Sequence, residues 1–183
     1  MRTLNYLVVS WLICLSHTVG ANSTTKAGDT LQILIPVLAF SSTFYVGDDE
    51  GRTQFYKSFA STVLLTHGGK RIFNKRRPDD SDNKAFPSGH TSAAFQGAAF
   101  IHFRYGFRYA IPGYLAASFV GYSRVDARKH DYADVLAGAA VGIASSWFFT
   151  QPWMNPLLEP VKGVNLTPTV RKDGFKFIFS KHW

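Results

Sequence analysis

Five mostly apolar stretches of helical length, separated by short polar segments, restrict this chain to an all-α fold, a compact bundle of helices. They run from Leu31 to Val46, Thr53 to about Gly68, Ser88 to about Phe103, about Tyr109 to Tyr122, and His130 to about Phe149. The breaks agree with them: the acidic turn Gly47-Asp48-Asp49-Glu50-Gly51, a polar loop from Asn74 to Phe86 holding Pro78, Pro112 bending or starting the fourth helix, and Gln151-Pro152 after the fifth. Small residues are dense in Ser92-Ala93-Ala94, Gly97-Ala98-Ala99 and Gly138-Ala139-Ala140-Val141-Gly142. The last has a small-xxx-small spacing that permits close helix approach in a membrane. A tightly packed soluble bundle would use the same residues. The runs fall short of the roughly 20 apolar residues of a spanning helix, and the mean hydropathy is −0.04. Membrane association is the reading adopted.

Arg2 and the apolar run Leu4 to Leu15 lead into His17-Thr18-Val19-Gly20-Ala21. This is the pattern of a secretory signal peptide cut after Ala21, the alternative being an uncleaved first membrane helix that makes the bundle six-membered. Either way the chain is expected to be exported to the cell envelope, on its periplasmic side. The one cysteine, Cys14, lies in that run, so a cleaved chain has no disulfide, no catalytic thiol and no cysteine metal site. The expected organisation is an export segment at 1–21, a helical domain at 22–152 and a tail at 153–183. In the tail, Val164 to Val170 and Phe175 to Phe179 alternate around Lys172-Asp173-Gly174, the pattern of a short β-hairpin.

Charge narrows the search for chemistry. The 183 residues hold 20 Lys and Arg against 12 Asp and Glu, a net charge of +8. Residues 1–69 are balanced, while residues 70–134 carry eleven cations and six acids, so the excess begins at residue 70. Such a chain suits a phosphorylated substrate or an anionic lipid. Nucleic acid is disfavoured, because no groove-reading element accompanies the charge.

Three stretches contain nearly all the candidate groups. Lys70-Arg71-Ile72-Phe73-Asn74-Lys75-Arg76-Arg77-Pro78 packs five cations into eight positions, which alone also describes a solvated basic face. Pro87-Ser88-Gly89-His90-Thr91-Ser92 opens a helix. Ser88 is a good N-cap there, the unpaired N–H groups favour an anion, Gly89 allows it close approach, and His90 can donate a proton to it. Ordinary capping beside an exposed histidine would look the same. Ser123-Arg124 is followed after five intervening residues by His130 and after three more by Asp134. On a helix that spacing puts His130 and Asp134 on one face, so that a carboxylate orients a histidine nucleophile or base; a structural pair has the same spacing. Together the three fit a tetrahedral oxyanion. A zinc site of His90, His130 and Asp134 would face repelling cations. Asp79, Asp80, Ser81 and Asp82 lack the glycine and closing Glu of a calcium loop and read as a solvated acidic loop.

These motifs, in this order and spacing, resemble the three-part signature of the type 2 phosphatidic acid phosphatase and vanadium haloperoxidase superfamily, in particular its small bacterial envelope members. The resemblance covers about residues 53–150. It implies that His130 is a nucleophile forming a phosphohistidine, with Asp134 orienting it and His90 as the general acid. It implies that Lys70, Arg77, Ser88, Gly89 and Arg124 bind the phosphate oxygens, and that no metal or other cofactor is needed. Arg71, Lys75, Arg76, Arg128 and Lys129 are not signature positions and are left to anionic lipid, substrate or solvent. The expected function is a metal-independent phosphatase acting on a lipid-linked phosphomonoester or pyrophosphate, such as phosphatidic acid or a polyprenyl pyrophosphate. The alternatives are a vanadate-dependent haloperoxidase, disfavoured by chain length, and a non-enzymatic basic protein of the membrane surface. If all six segments cross, 21–30, 68–89 and 122–130 are loops on one side. Phe73, Phe86 and Phe95 are candidates for the pocket's apolar walls.

Overall fold

The computed structural model describes residues 21–153 and the strand residues 165–171 and 174–180. The chain divides into two units, residues 1–153 and 154–183. The first holds five helices: α1 Ala21–Tyr45, α2 Asp49–Phe73, α3 Gly89–Tyr105, α4 Phe107–Asp126 and α5 Tyr132–Phe149. The second holds β1 Asn165–Arg171 and β2 Gly174–Ser180, antiparallel with Arg171 opposite Gly174. The export segment expected at 1–21 lies outside the described residues except for Ala21, which opens α1.

Helix α1 begins ten residues before the expected Leu31. Residues 21–30 are therefore helix and not a loop. Apolar periodicity is absent there, since Ser23, Thr24, Thr25, Lys26 and Asp29 are polar, and close packing decides the conformation instead. A Cβ added at Gly28 would stand 2.0 Å from Ser123 Oγ of α4. Helix α2 extends from Asp49, capped by the Asp48 side chain (2.9 Å to the Gly51 N–H), to Phe73, where Asn74 takes the left-handed conformation (φ 40°). Only three residues separate α1 from α2, and Gly106 alone separates α3 from α4 at φ 106°. That conformation suits glycine.

The short α1–α2, α3–α4 and α4–α5 connections and the returning loop 74–88 bring the start of α1, the end of α2, the start of α3, the end of α4 and the start of α5 to one end of the bundle. At the other end a buried Arg104 pairs with Asp48 through two bonds, Nη2 to Oδ1 (2.5 Å) and Nε to Oδ2 (2.7 Å), and donates to the Gln151 carbonyl. Burial opposes the charge on Asp48, but the bonds from Arg104 and the Gly51 N–H outweigh it and hold the carboxyl below its ordinary range.

The interior is built from small side chains. One cluster joins Ile35, Ala94, Ala98, Ala117 and Val120; another joins Ala39, Phe55 and Phe100. Gln96 is fully buried and donates to Ser58 Oγ (2.9 Å). Gly138 and Gly142 use the small-xxx-small spacing as expected: an added Cβ would lie 2.5 Å from the Ser88 carbonyl and 2.4 Å from the Ser92 carbonyl. Many other large apolar residues face outward, among them Ile33, Val37, Leu64, Leu115, Leu136 and Trp147. Two helical segments, Ser23–Tyr45 and Tyr132–Phe149, are long and apolar enough to cross a membrane.

Candidate active site

The shared end of the bundle brings the three motifs together. The Ser88 N–H donates to the Asp134 carbonyl (2.9 Å), which ties the start of α3 to the start of α5. Gly89 faces the end of α2, where a Cβ would lie 3.7 Å from Thr66 and 3.8 Å from Lys70 Cε. Ser88 stands at the N-cap position, but its side chain does not cap the helix; it is fully buried and accepts from the Thr91 hydroxyl (3.0 Å). Free N-terminal amides and the helix dipole there favour an anion.

The basic stretch is more ordered than a solvated face. Lys70 Nζ donates to the Lys84 carbonyl (2.7 Å). Burial first, and then the Arg77 charge, hold Lys70 below the ordinary lysine value. Arg77 Nε pairs with Asp82 Oδ1 (2.6 Å), Arg76 with Asp80 (2.8 Å), and Lys129 with Asp79. The acidic run 79–82 is thus not a free solvated loop. Its carboxylates are counter-ions that fix the basic loop, because uncompensated cations this close would repel one another. Arg124 is almost entirely buried. It donates from Nη1 to Asp29 Oδ1 (2.7 Å), from Nη2 to the Thr25 carbonyl (2.9 Å) and from Nε to Ser123 Oγ (3.1 Å).

His130 does not lie on a helix, contrary to the sequence expectation. Asp131 caps α5 by accepting from the Asp134 N–H (3.0 Å), while Asp134 Oδ2 accepts from the Asp131 N–H (3.1 Å). This reciprocal box starts the helix at Tyr132. His130 Nδ1 still faces Asp134 Oδ2, at 3.6 Å, but is buried without a hydrogen-bond partner. Burial, followed by the charges of Lys70 and Arg77, pulls the imidazole down to about 4 against the opposing pull of Asp134. Burial and the two cations thus favour the neutral ring, while a hydrogen bond to the Ala85 backbone works with Asp134 against them. His90 Nε2 lies 3.0 Å from Asp29 Oδ1. Burial and then Arg124 lower its pKa, and Asp29 opposes them. Arg77 acts on both rings, so the two histidines face one cationic pocket.

Among the described residues no group of three or more His, Cys, Asp or Glu could hold a metal ion. What converges is cationic: Lys70, Arg77 and Arg124, a helix N-terminus, and two histidines. Such a set suits a tetrahedral oxyanion.

Known proteins are similar to this chain. Residues 71–156 match the family model described as the PAP2 superfamily. The lipid A 4'-phosphatase of Helicobacter pylori is 33% identical over 142 residues, covering 72% of this chain and 71% of that protein. This chain belongs to the PAP2 superfamily. The lipid A 1-phosphatase of Porphyromonas gingivalis is 37% identical over 134 residues, 68% of this chain. Lipid phosphate phosphatase 1 of Arabidopsis thaliana is 33% identical over 107 residues, 50% of this chain. The chain spans only about a third of these last two relatives, 30% and 33%. The crystal structure of Aquifex aeolicus LpxE shares the fold, with a TM-score of 0.54 and 23% identity over 66% of this chain and 83% of that one.

Two residues at this PAP2 site were not foreseen. Asp29 bridges His90 and Arg124 from α1, more than 40 positions before the first motif. A lone Asp in a polar stretch carries no sequence signal for that contact. Lys75, left to solvent or lipid, instead donates to Asp131 Oδ2 (2.5 Å) and Asp134 Oδ1 (2.8 Å). Of the expected apolar walls, Phe73 and Phe86 stack edge to face (4.8 Å) beside the basic loop. Phe95 instead lines a groove between α4 and α5 with Val125, Tyr132 and Val135.

Proposed function

We propose that this protein is a metal-independent phosphatase that removes phosphate from a lipid-linked phosphomonoester or pyrophosphate through a phosphohistidine at His130. The observation that carries the reading is the buried His130, with Nδ1 facing Asp134 at 3.6 Å, at the end of the bundle that also gathers His90, Lys70, Arg77 and Arg124. Nδ1 faces Asp134, so Nε2 is the attacking atom. Its lone pair forms the N–P bond as the P–O bond to the leaving group breaks, and His90 gives its proton to the leaving oxygen. Water then attacks phosphorus, the N–P bond breaks, and His90 takes the water proton. Lys70, Arg77, Arg124 and the Ser88-Gly89 turn hold the non-bridging oxygens and stabilise their charge in the transition state.

A lipid-linked substrate is supported by the relatives, which are named as phosphatases of lipid A and of lipid phosphates. The surface agrees with this. Large apolar side chains face outward and small ones fill the interior, as expected for a bundle set in lipid. An apolar groove along α1, lined by Ile33, Leu34 and Val37, begins at Asp29, which touches His90 and Arg124. The protein is membrane-associated in this reading, with the export segment at 1–21, the phosphatase domain at 22–152 and the site on the periplasmic side.

Purified protein is expected to release phosphate from phosphatidic acid or a polyprenyl pyrophosphate in the presence of a chelator, and vanadate should block the release. His130→Ala should lose at least about a thousandfold in rate, since removing a covalent nucleophile removes the step itself. Full activity in that variant would overturn the mechanism.

A further inference from the structure

We propose that Lys75 is a positioning residue that holds the Asp134 carboxylate and, through it, keeps the resting His130 ring neutral. The inference rests on the phosphatase reading for its purpose, but its geometry is independent of it. Lys75 Nζ donates to Asp134 Oδ1 at 2.8 Å and to Asp131 Oδ2 at 2.5 Å. Asp134 Oδ2 is occupied by the Asp131 N–H at 3.1 Å. Both carboxylate oxygens are thus bound by donors that stay protonated in the working pH range. His130 Nδ1 is left 3.6 Å away with no hydrogen bond. Asp134 is fully buried, so the Lys75 ammonium on its carboxylate acts at short range and with little screening.

Such a carboxylate is divided between two claims. In the resting protein Lys75 takes most of its charge, and the ring, surrounded by Lys70 and Arg77, stays unprotonated. Once the N–P bond forms, positive charge on the ring draws Nδ1–H toward Oδ2, which needs to close less than an ångström. Lys75 meanwhile keeps Oδ1 fixed, so the carboxylate does not have to be reoriented. The charges that act on His130 are Lys70 and Arg77 from the end of α2 and its loop and Asp134 from α5, and a hydrogen bond to the Ala85 backbone also favours the protonated ring; the neighbouring Asp131 and Lys129 are paired to Lys75 and Asp79. Lys75 itself is held above the ordinary lysine value: burial opposes its charge, but the bonds to Asp131 and Asp134 outweigh it.

The test is the titration of the His130 ring by NMR in the unliganded full chain, assigned with His130→Gln, in the wild type and three variants. In Lys75→Met the Asp134 charge falls on His130 alone, and the midpoint should rise by about one pH unit. Lys75→Arg should restore it. Asp131→Asn keeps a good N-cap and leaves Lys75 to Asp134, so its midpoint should fall. On one substrate, the ratio of kcat at pH 5 to kcat at pH 8 should drop about twofold in Lys75→Met with KM little changed, which corresponds to that shift at a single ring. A merely structural lysine would lower Tm and kcat at every pH without moving the midpoint. An unmoved midpoint in folded Lys75→Met, or in Asp131→Asn if the first variant does not fold, overturns the proposal. Failure of the wild type to hydrolyse any phosphate ester would defeat the phosphatase reading and leave the titration result standing.

Discussion

Each histidine at the site has a carboxylate that is also claimed by a cation. Asp29 Oδ1 is shared by His90 and Arg124, and Asp134 by His130 and Lys75. Sharing sets the two rings differently. Asp29 lies within hydrogen-bonding distance of His90 and favours its protonated form, which the proposed general acid needs, whereas Asp134 stands 3.6 Å from His130 Nδ1, beyond a hydrogen bond. Asp29→Asn should therefore lower the His90 pKa. The alkaline limb of kcat should then move to lower pH, with activity at pH 8 falling about three- to tenfold. A pH–rate profile on a soluble phosphate ester would measure this, and an unchanged alkaline limb would remove Asp29 from the proton-transfer account. Neither partner was legible in the sequence. Asp29 is brought to the site by helix packing, and Lys75 differs from its neighbours Arg71 and Arg76 only in where the loop directs it.

Close approach between helices is what delivers these contacts. Gly28 precedes Asp29 and lies where any side chain would strike Ser123 and Arg124 of α4; an added Cβ would be 2.0 Å from Ser123 Oγ and 2.9 Å from Arg124 Nη2. Gly28→Ala should push α1 away, lowering stability by about 1–3 kcal/mol and weakening the Asp29 contacts. Gly68, in α2, has open space around its added Cβ. Gly68→Ala is expected to be neutral or to stabilise by up to about 1 kcal/mol. Thermal unfolding of the two variants side by side checks the pair, and equal midpoints would show that the α1–α4 contact yields more readily than the geometry implies. Helix α2 starts four residues before the expected Thr53 and continues through Gly68-Gly69 to Phe73, whereas the extents of α3 to α5 were close to legible, because Pro, Gly and charged turns mark their ends. The first ten residues of α1 were not, since polar residues hide a helix whose reason is a neighbour, not its own pattern.

Across the whole molecule, burial and cationic surroundings hold both histidines below their ordinary value. Between about pH 6.5 and 4 the unfolded chain therefore binds more protons than the folded one, and stability rises with pH through that window. The stabilising share of His130 is fully present above its unfolded value and is lost as pH falls through about 4. In His130→Gln the fall in Tm between pH 7 and pH 4.5 should be smaller than in the wild type. Equal slopes would mean that the ring is not held neutral in the folded state. The bundle architecture, the three motifs and the type of ligand they suit were all determined by the sequence alone. Helix periodicity is local, and motif residues announce themselves by type and spacing. Only the tertiary structure decided which carboxylate serves which cation, that His130 precedes its helix, and that the acidic run neutralises the basic loop. Those outcomes depend on distances of a few ångströms between residues up to 99 positions apart, and electrostatic and packing energies at such distances are set by the fold, not by the order of residues along the chain.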